Sequence, residues 1–190
     1  MPMDSKKPFR DELFIAGLGG MGVLLAGSLL ASAAFQEYKY VSWLPSYGVQ
    51  PRGGLSECTV IFSEERISSP LLDQAQTVIL IDGSQYKVME SRVRPGGLMI
   101  VDKTGLTEER EREEIRLAAI PAMEMAINTF GTPGVVNLIL LGVYIAMTGA
   151  VPAELIHGEM KKRFGTREDV LTRNRTALEY GLEFGRGERI

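Results

Sequence analysis

An α/β fold, a doubly wound and mostly parallel sheet with a helical C-terminal region, is predicted by three observations. Near the start, a glycine-rich turn joins a short apolar run to a long small-residue helix pattern: Glu12-Leu-Phe-Ile-Ala-Gly-Leu-Gly-Gly-Met-Gly22. Two later runs, Thr77–Asp82 and Leu98–Val101, are apolar without interruption until each meets an aspartate, as parallel strands covered on both faces are. From Ala122 onward the pattern is helical. Strands alternating with helices, then a helical tail, imply a sheet wrapped by helices.

In order, residues 1–10 read as a polar lead and 11–190 as a single Rossmann-like domain, with its helical tail over about 122–184. The first strand covers Leu13–Ala16 and the first helix Met21–Glu37. A short strand over Tyr40–Trp43 feeds a loop, Leu44–Gly54, that holds two prolines and three glycines. Glu57–Phe62 is a strand with Cys58, Val60 and Phe62 on one face, and Ile67–Pro70 a short edge piece. Thr77–Asp82 is a strand, Ser84–Arg94 a helix ended by Pro95-Gly-Gly97, and Leu98–Val101 a strand. Glu114–Ile120 is a strand by its alternation of Ile115, Leu117 and Ala119. Helices follow at Ala122–Thr129, Val135–Met147, Pro152–Arg163 and Glu168–Phe184. In the last, Val170, Leu171, Asn174, Ala177, Leu178, Gly181 and Leu182 share a face.

Val135–Met147 is apolar except for Asn137 and the hydroxyl of Tyr144, and it is too short to span a bilayer. A helix so apolar all round is either central in the domain or covered by another subunit. The expectation is that part of its surface, around Ile139 and Tyr144, meets another subunit or a second copy of the chain.

Composition excludes several function classes. A net charge of -3 gives no electrostatic case for nucleic acid. One cysteine, Cys58, rules out an internal disulfide and a four-thiolate iron-sulfur cluster; its strand pattern makes it an inert buried thiol. One histidine, His157, and one cysteine make no zinc site, so no metal ligand is expected. The cysteine usage fits a reducing cytoplasm. Lys6, Lys7 and Arg10 ahead of an uncharged stretch imitate a secretory leader. Against that stand Asp11 and Glu12, the clustered glycines, and the polar stripe Ser28, Ser32 and Gln36 on the helix.

Three constellations could carry chemistry. Gly17, Gly19 and Gly22 satisfy G-x-G-x-x-G between a strand and a helix, where the first helical amides can hold an anion. No acidic residue lies between Glu37 and Glu57 to bind a ribose, so a dinucleotide site and a mere close strand-helix junction both stay open. Arg52 in Tyr47-Gly-Val-Gln-Pro-Arg-Gly-Gly54 exposes five donors between a proline and two glycines. It suits a carboxylate, a phosphate or an acidic partner, or is a solvated loop residue. The sheet context lets this loop and the glycine loop open at one edge. Asp82 and Asp102 end buried strands, as an acid-base pair or as caps. Glu108–Glu114 reads as a solvated charge run. No nucleophile-base set is visible, so no catalytic residue is assigned.

Together, GLGGMG opening the first helix, YGVQPRGG after the second strand, and Ile120-Pro121-Ala122 followed by Asn137 and Leu141-Gly142 resemble one family. It is the gamma subunit, or gamma domain, of the 2-oxoacid:ferredoxin oxidoreductases, which include pyruvate, 2-oxoglutarate and ketoisovalerate enzymes. The resemblance covers about residues 12 to 182. It implies a subunit, inactive alone, of a complex that oxidatively decarboxylates a 2-oxoacid to an acyl-CoA. Thiamine diphosphate and iron-sulfur clusters are then bound by other chains, and coenzyme A is the substrate whose side of the site this chain completes. The implied partners are alpha and beta subunits, a ferredoxin-like delta subunit, and ferredoxin as electron acceptor. The chain is expected to be cytoplasmic, with no membrane or nucleic-acid partner, and a homodimer stays open for the isolated chain. By position, Gly17, Gly19, Gly20 and Gly22 match the family's glycine loop. Tyr47, Gly48, Arg52, Gly53 and Gly54 match its second motif. Met21 stands where the family usually has glutamine, and Val49-Gln50 where it has proline and glutamate. The rival classes are a free-standing dinucleotide-binding oxidoreductase and a non-enzymatic ligand-binding module.

Overall fold

The computed structural model describes residues 9–46, 54–107 and 110–187. Six strands form one sheet: β1 (Arg10–Leu18), β2 (Tyr40–Ser46), β3 (Leu55–Ser63), β4 (Ala75–Leu80), β5 (Val93–Asp102) and β6 (Arg116–Ile120). Their hydrogen-bonded order is β2-β3-β1-β4-β5-β6. β1, β4, β5 and β6 run parallel, whereas β3 is antiparallel to both β1 and β2. The helices are α1 (Val23–Ala34), α2 (Tyr86–Glu90), α3 (Ala122–Phe130), α4 (Val136–Thr148), α5 (Ala153–Phe164) and α6 (Glu168–Gly187).

The sheet alternates side chains between two faces of unequal cover. Leu13, Ile15, Cys58, Val60, Phe62, Ile79 and Ile100 join a core with α1 and α3 to α6. The opposite set, Phe14, Ala16, Val78, Leu80, Met99 and Val101, lies under the five-residue α2 and connecting segments, through Tyr86, Met89, Ile115 and Leu72.

α4 is wholly internal: Val136 through Ile145 are buried, with Ile139 and Tyr144 at 0% exposure. The expectation that this surface meets another chain is therefore corrected, because the chain's own sheet and α6 cover it. α6 lies so close that a Cβ on Gly181 would sit 2.0 Å from the Ile139 carbonyl oxygen, and one on Gly142 2.3 Å from that of Leu178. Small residues at these positions let two helical backbones touch.

Several expected boundaries move. Arg10 belongs to β1, and Phe9 stacks on Tyr38 at 5.2 Å between centroids. Ile67–Pro70 is not a strand. The helix expected over Ser84–Arg94 is only a 3-10 turn, Gly83–Gln85, and α2. Its last residues open β5 instead, because Val93 pairs with Ala75 and is buried. Pro95, Gly96 and Gly97 then lie inside β5, as a bulge between the pairs Ala75–Val93 and Thr77–Leu98. In the charge run near Glu114, Arg110, Glu111, Glu113 and Glu114 are exposed as expected, while the backbone of the run is anchored. The Glu90 carboxylate, 3% exposed, accepts from the Glu111 and Arg112 amides at 3.2 Å each. A buried carboxylate needs such donors, and it holds this segment against the end of α2.

Candidate functional site

The first glycine loop lies where β1 ends and α1 begins. Gly19 and Gly20 are exposed, and Gly20 and Gly22 have φ of 98° and 76°, a region that L side chains rarely adopt. Gly17 is the close-packing glycine: a Cβ there would lie 3.1 Å from Ile81 Cβ and 3.3 Å from Val23 Cγ2. Gly22 caps α1 without a side chain, and the first turn of α1 carries no acidic residue. The amides of Val23, Leu24 and Leu25 precede the first intrahelical bond, from Ala26 N to Gly22 O at 3.1 Å. A helix end of this kind favours an anion.

Antiparallel β3 brings Gly54, the last residue of the second motif, to the same place. Gly17 pairs with Ser56 and Leu18 with Leu55, so the residue entering β3 lies beside the end of β1. Gly19 N donates to Gly54 O at 3.0 Å. Of the second motif, Gly54 is thus joined directly to the glycine loop. Tyr47, Gly48, Arg52 and Gly53 lie outside the described residues, as do Val49 and Gln50.

Met21, in the family's usual glutamine position, is half-buried and packs against the core, its Sδ 3.6 Å from where a Gly17 Cβ would be. Asn137 was visible in the sequence as a polar exception in an apolar helix and as part of the family resemblance, neither of which gives its partner. It sits in the first turn of α4, and its Nδ2 donates to Gly22 O at 3.0 Å. The other exception, Tyr144, donates from its hydroxyl to Asp11 Oδ2 at 2.6 Å. α4 is thus tied to both ends of the β1 region.

The two aspartates do not form an acid-base pair. Asp82 accepts from Ser84 N at 2.9 Å and caps the 3-10 turn. Asp102, 0% exposed, accepts from Thr104 N at 3.1 Å and from Met123 N at 2.8 Å at the start of α3. Both carboxylates are spent on backbone amides. His157 on α5 faces Glu179 on α6 at 2.5 Å, a contact between helices rather than part of the loop site. Cys58 is buried beneath α1 against Val23 O at 3.7 Å, and burial pushes its thiol up to about 12.

No single helix is long and apolar enough to cross a membrane among the described residues.

Residues 12–184 match the family model for pyruvate ferredoxin/flavodoxin oxidoreductase. The ketoisovalerate oxidoreductase subunit VorA of Methanothermobacter thermautotrophicus is 34% identical over 187 residues, 97% of this chain but 38% of that protein. This chain therefore spans well under half the length of that relative. The 2-oxoglutarate synthase subunit KorC of Archaeoglobus fulgidus is 34% identical over 179 residues, 94% of this chain and 90% of its own length. Among solved structures, the keto/oxoacid ferredoxin oxidoreductase gamma subunit of Geobacter sulfurreducens superposes with a TM-score of 0.79 at 28% identity, covering 92% of this chain and 95% of that one. The 2-oxoglutarate:ferredoxin oxidoreductase of Magnetococcus marinus shares the fold, with a TM-score of 0.86 at 20% identity over 97% of this chain and 32% of that one. A match over nearly the whole chain places this protein in the pyruvate ferredoxin/flavodoxin oxidoreductase family.

Proposed function

We propose that this chain is the gamma subunit of a 2-oxoacid:ferredoxin oxidoreductase complex that converts a 2-oxoacid and coenzyme A to an acyl-CoA and carbon dioxide, passing two electrons to ferredoxin. The observation that supports its local role is the Gly19–Gly54 hydrogen bond, which joins the last residue of the second motif to the glycine loop where β1 ends. The glycine loop and Arg52, two positions before Gly54 in sequence, form the coenzyme A side of the complex's site, with Tyr47, Gly48 and Gly53 shaping the second loop. Alpha, beta and ferredoxin-like delta subunits supply the rest, including thiamine diphosphate and the iron-sulfur clusters, in the cytoplasm. This chain has no four-thiolate set of its own, since Cys58 is its one cysteine.

The chemistry fits a supporting subunit. Oxidative decarboxylation of a 2-oxoacid needs a carbanion-stabilising cofactor and one-electron carriers. This chain's described carboxylates at the strand ends are caps, whereas its helix end offers amides to an anion.

Reconstitution tests the reading. The purified chain alone should reduce no viologen dye with any 2-oxoacid, and adding the partner subunits should give dye reduction that depends on coenzyme A. In the complex, Arg52→Ala should raise KM for coenzyme A with little change in Tm. Turnover by the chain alone, or unchanged kinetics for both 2-oxoacid and coenzyme A in Arg52→Ala, would refute it.

A further inference from the structure

We propose that the outer edge of β2 is a self-association surface, on which a second copy of this chain pairs antiparallel about a two-fold axis at Trp43. The surface lies at the margin of the sheet opposite β6, and it is independent of the reading of the glycine loop.

The two margins of the sheet are built differently. β6 is five residues long, opens on the exposed Arg116 and follows the exposed Glu113 and Glu114, the short and charged form that keeps an edge strand from pairing. β2 runs for seven residues, Tyr40 to Ser46, without a charge and in unbroken register with β3. No strand pairs with its outer side among the described residues, and its one edge device is Pro45, next to its end. Its aromatic side chains are only part-buried: Tyr40 is 43% exposed and Trp43 40%, and Phe35 at the end of α1 is 72% exposed. The polar handle of Trp43 is turned inward. Its indole N–H bonds to the Cys58 thiol, and Nε1 lies 3.1 Å from where a Gly27 Cβ would stand, so hydrocarbon faces out.

The order of residues in β2 says which strand fits it. Trp43 is the middle of the seven, so two copies paired about it set Tyr40 against Ser46 and Ser42 against Leu44, a large side chain against a small one. Val41 meets Pro45, so the residue that cannot donate falls near the end of the pairing. No like charges oppose the approach: β2 has none, Lys39 just before it pairs with Glu64 at 3.4 Å, and Lys162 pairs with Glu159 at 2.6 Å. The axis stands perpendicular to the sheet, so both copies carry their helices on the same side. A cavity of about 410 Å³, lined by Phe35, Trp43 and Lys162 among others, then faces its counterpart. At about 200 Å² for each aromatic side chain, the exposed parts of Phe35, Tyr40 and Trp43 offer about 300 Å² per copy. A standard interface buries about 800 Å² per partner, so this dimer is a weak one that dissociates on dilution.

The test is sedimentation velocity of the full chain over a hundredfold range of concentration, with the emission of Trp43, the single tryptophan, read on the same samples. The unaltered chain should pass from monomer to dimer as concentration rises, and its emission should move to the blue in step. Ser42→Lys keeps the indole but sets a charge against the other copy's Leu44, and it should weaken the dimer at least tenfold. Trp43→Lys brings two ammonium groups together at the axis and should leave a monomer. A monomer at every concentration, or a dimer as strong in Ser42→Lys as in the unaltered chain, would overturn the proposal. So would emission that moves to the blue only when the other subunits of the complex are added, because the edge then belongs to another chain. If Trp43→Lys does not fold, Ser42→Lys and the concentration series of the unaltered chain decide. Coenzyme A-dependent turnover of the reconstituted complex is scored separately, so the dimer can fail while the subunit reading stands.

Discussion

Gly181→Ala puts the α4–α6 contact to a quantitative test. The new Cβ would sit 2.0 Å from Ile139 O, 2.8 Å from its carbonyl carbon and 3.0 Å from its Cα. A carbon–oxygen contact needs about 3.3 Å, so α6 has to move away from α4 by roughly 1.3 Å (3.3 − 2.0). The obstacle is helical backbone, which no rotamer change relieves. Overpacking costs about 1–3 kcal/mol, and this contact belongs at the upper end because Leu178 and Leu182 are drawn out of the core with the helix. Alanine gains about 1 kcal/mol over glycine in a helix interior. The net loss is about 2 kcal/mol, which in a chain of 190 residues lowers Tm by about 4–8 °C. Gly158→Ala is the matched control: nothing lies within 4 Å of its Cβ in mid-α5. There only the propensity gain remains, and stability should rise by about 0.5–1 kcal/mol. Urea unfolding by far-UV circular dichroism reads both. A Gly181→Ala midpoint equal to or above that of the unaltered chain would refute the close-contact argument.

Two further outcomes follow from buried groups. Burial raises the Asp11 carboxyl above its ordinary 3.8, against the lowering effect of the Tyr144 hydroxyl. A raised carboxyl contributes stability that is full below its unfolded pKa and lost as pH rises through its folded pKa. Asp11→Asn should therefore gain in urea midpoint relative to the unaltered chain between about pH 4 and pH 7; a pH-independent difference would contradict this. The Cys58 thiol, pushed up to about 12 and covered by α1, should label with a disulfide reagent only as fast as the chain opens. Rapid labelling of the native protein would show that the α1–β3 contact opens locally.

The sequence was legible where one pattern had one meaning. The strand-glycine-helix order of β1 and α1, the buried runs of β4 and β5, and the apolar face of α6 all announce themselves. The nearness of Gly54 to the glycine loop also fits the sheet context read from the sequence. Direction was not legible: alternation in Cys58, Val60 and Phe62 shows which face is buried, but a period of two is the same for either strand direction. Pro95-Gly96-Gly97 looks like a stop because those residues usually are one, yet here they bulge within β5, with Gly97 pressed against the Gln76 backbone. Asn137 and Tyr144 were seen as exceptions in an apolar helix, but their partners lie 115 and 133 positions away. No local pattern carries that information.

The pairing of β3 with β1 also decides which substitutions will behave as site mutations. Gly54 meets Gly19 only in the register that sets Leu55 opposite Leu18 and Ser63 opposite Arg10. A slip of one residue would turn Cys58, Val60 and Phe62 away from the helices, so the core enforces the register. Selection on the fit of Val60 and Phe62 is thereby selection on where Gly54, the end of the second loop, is held. A repacking change deep in this sheet would be inherited as a change in how Gly54 meets the glycine loop, so interior positions of β3 can mimic substitutions at the loop itself.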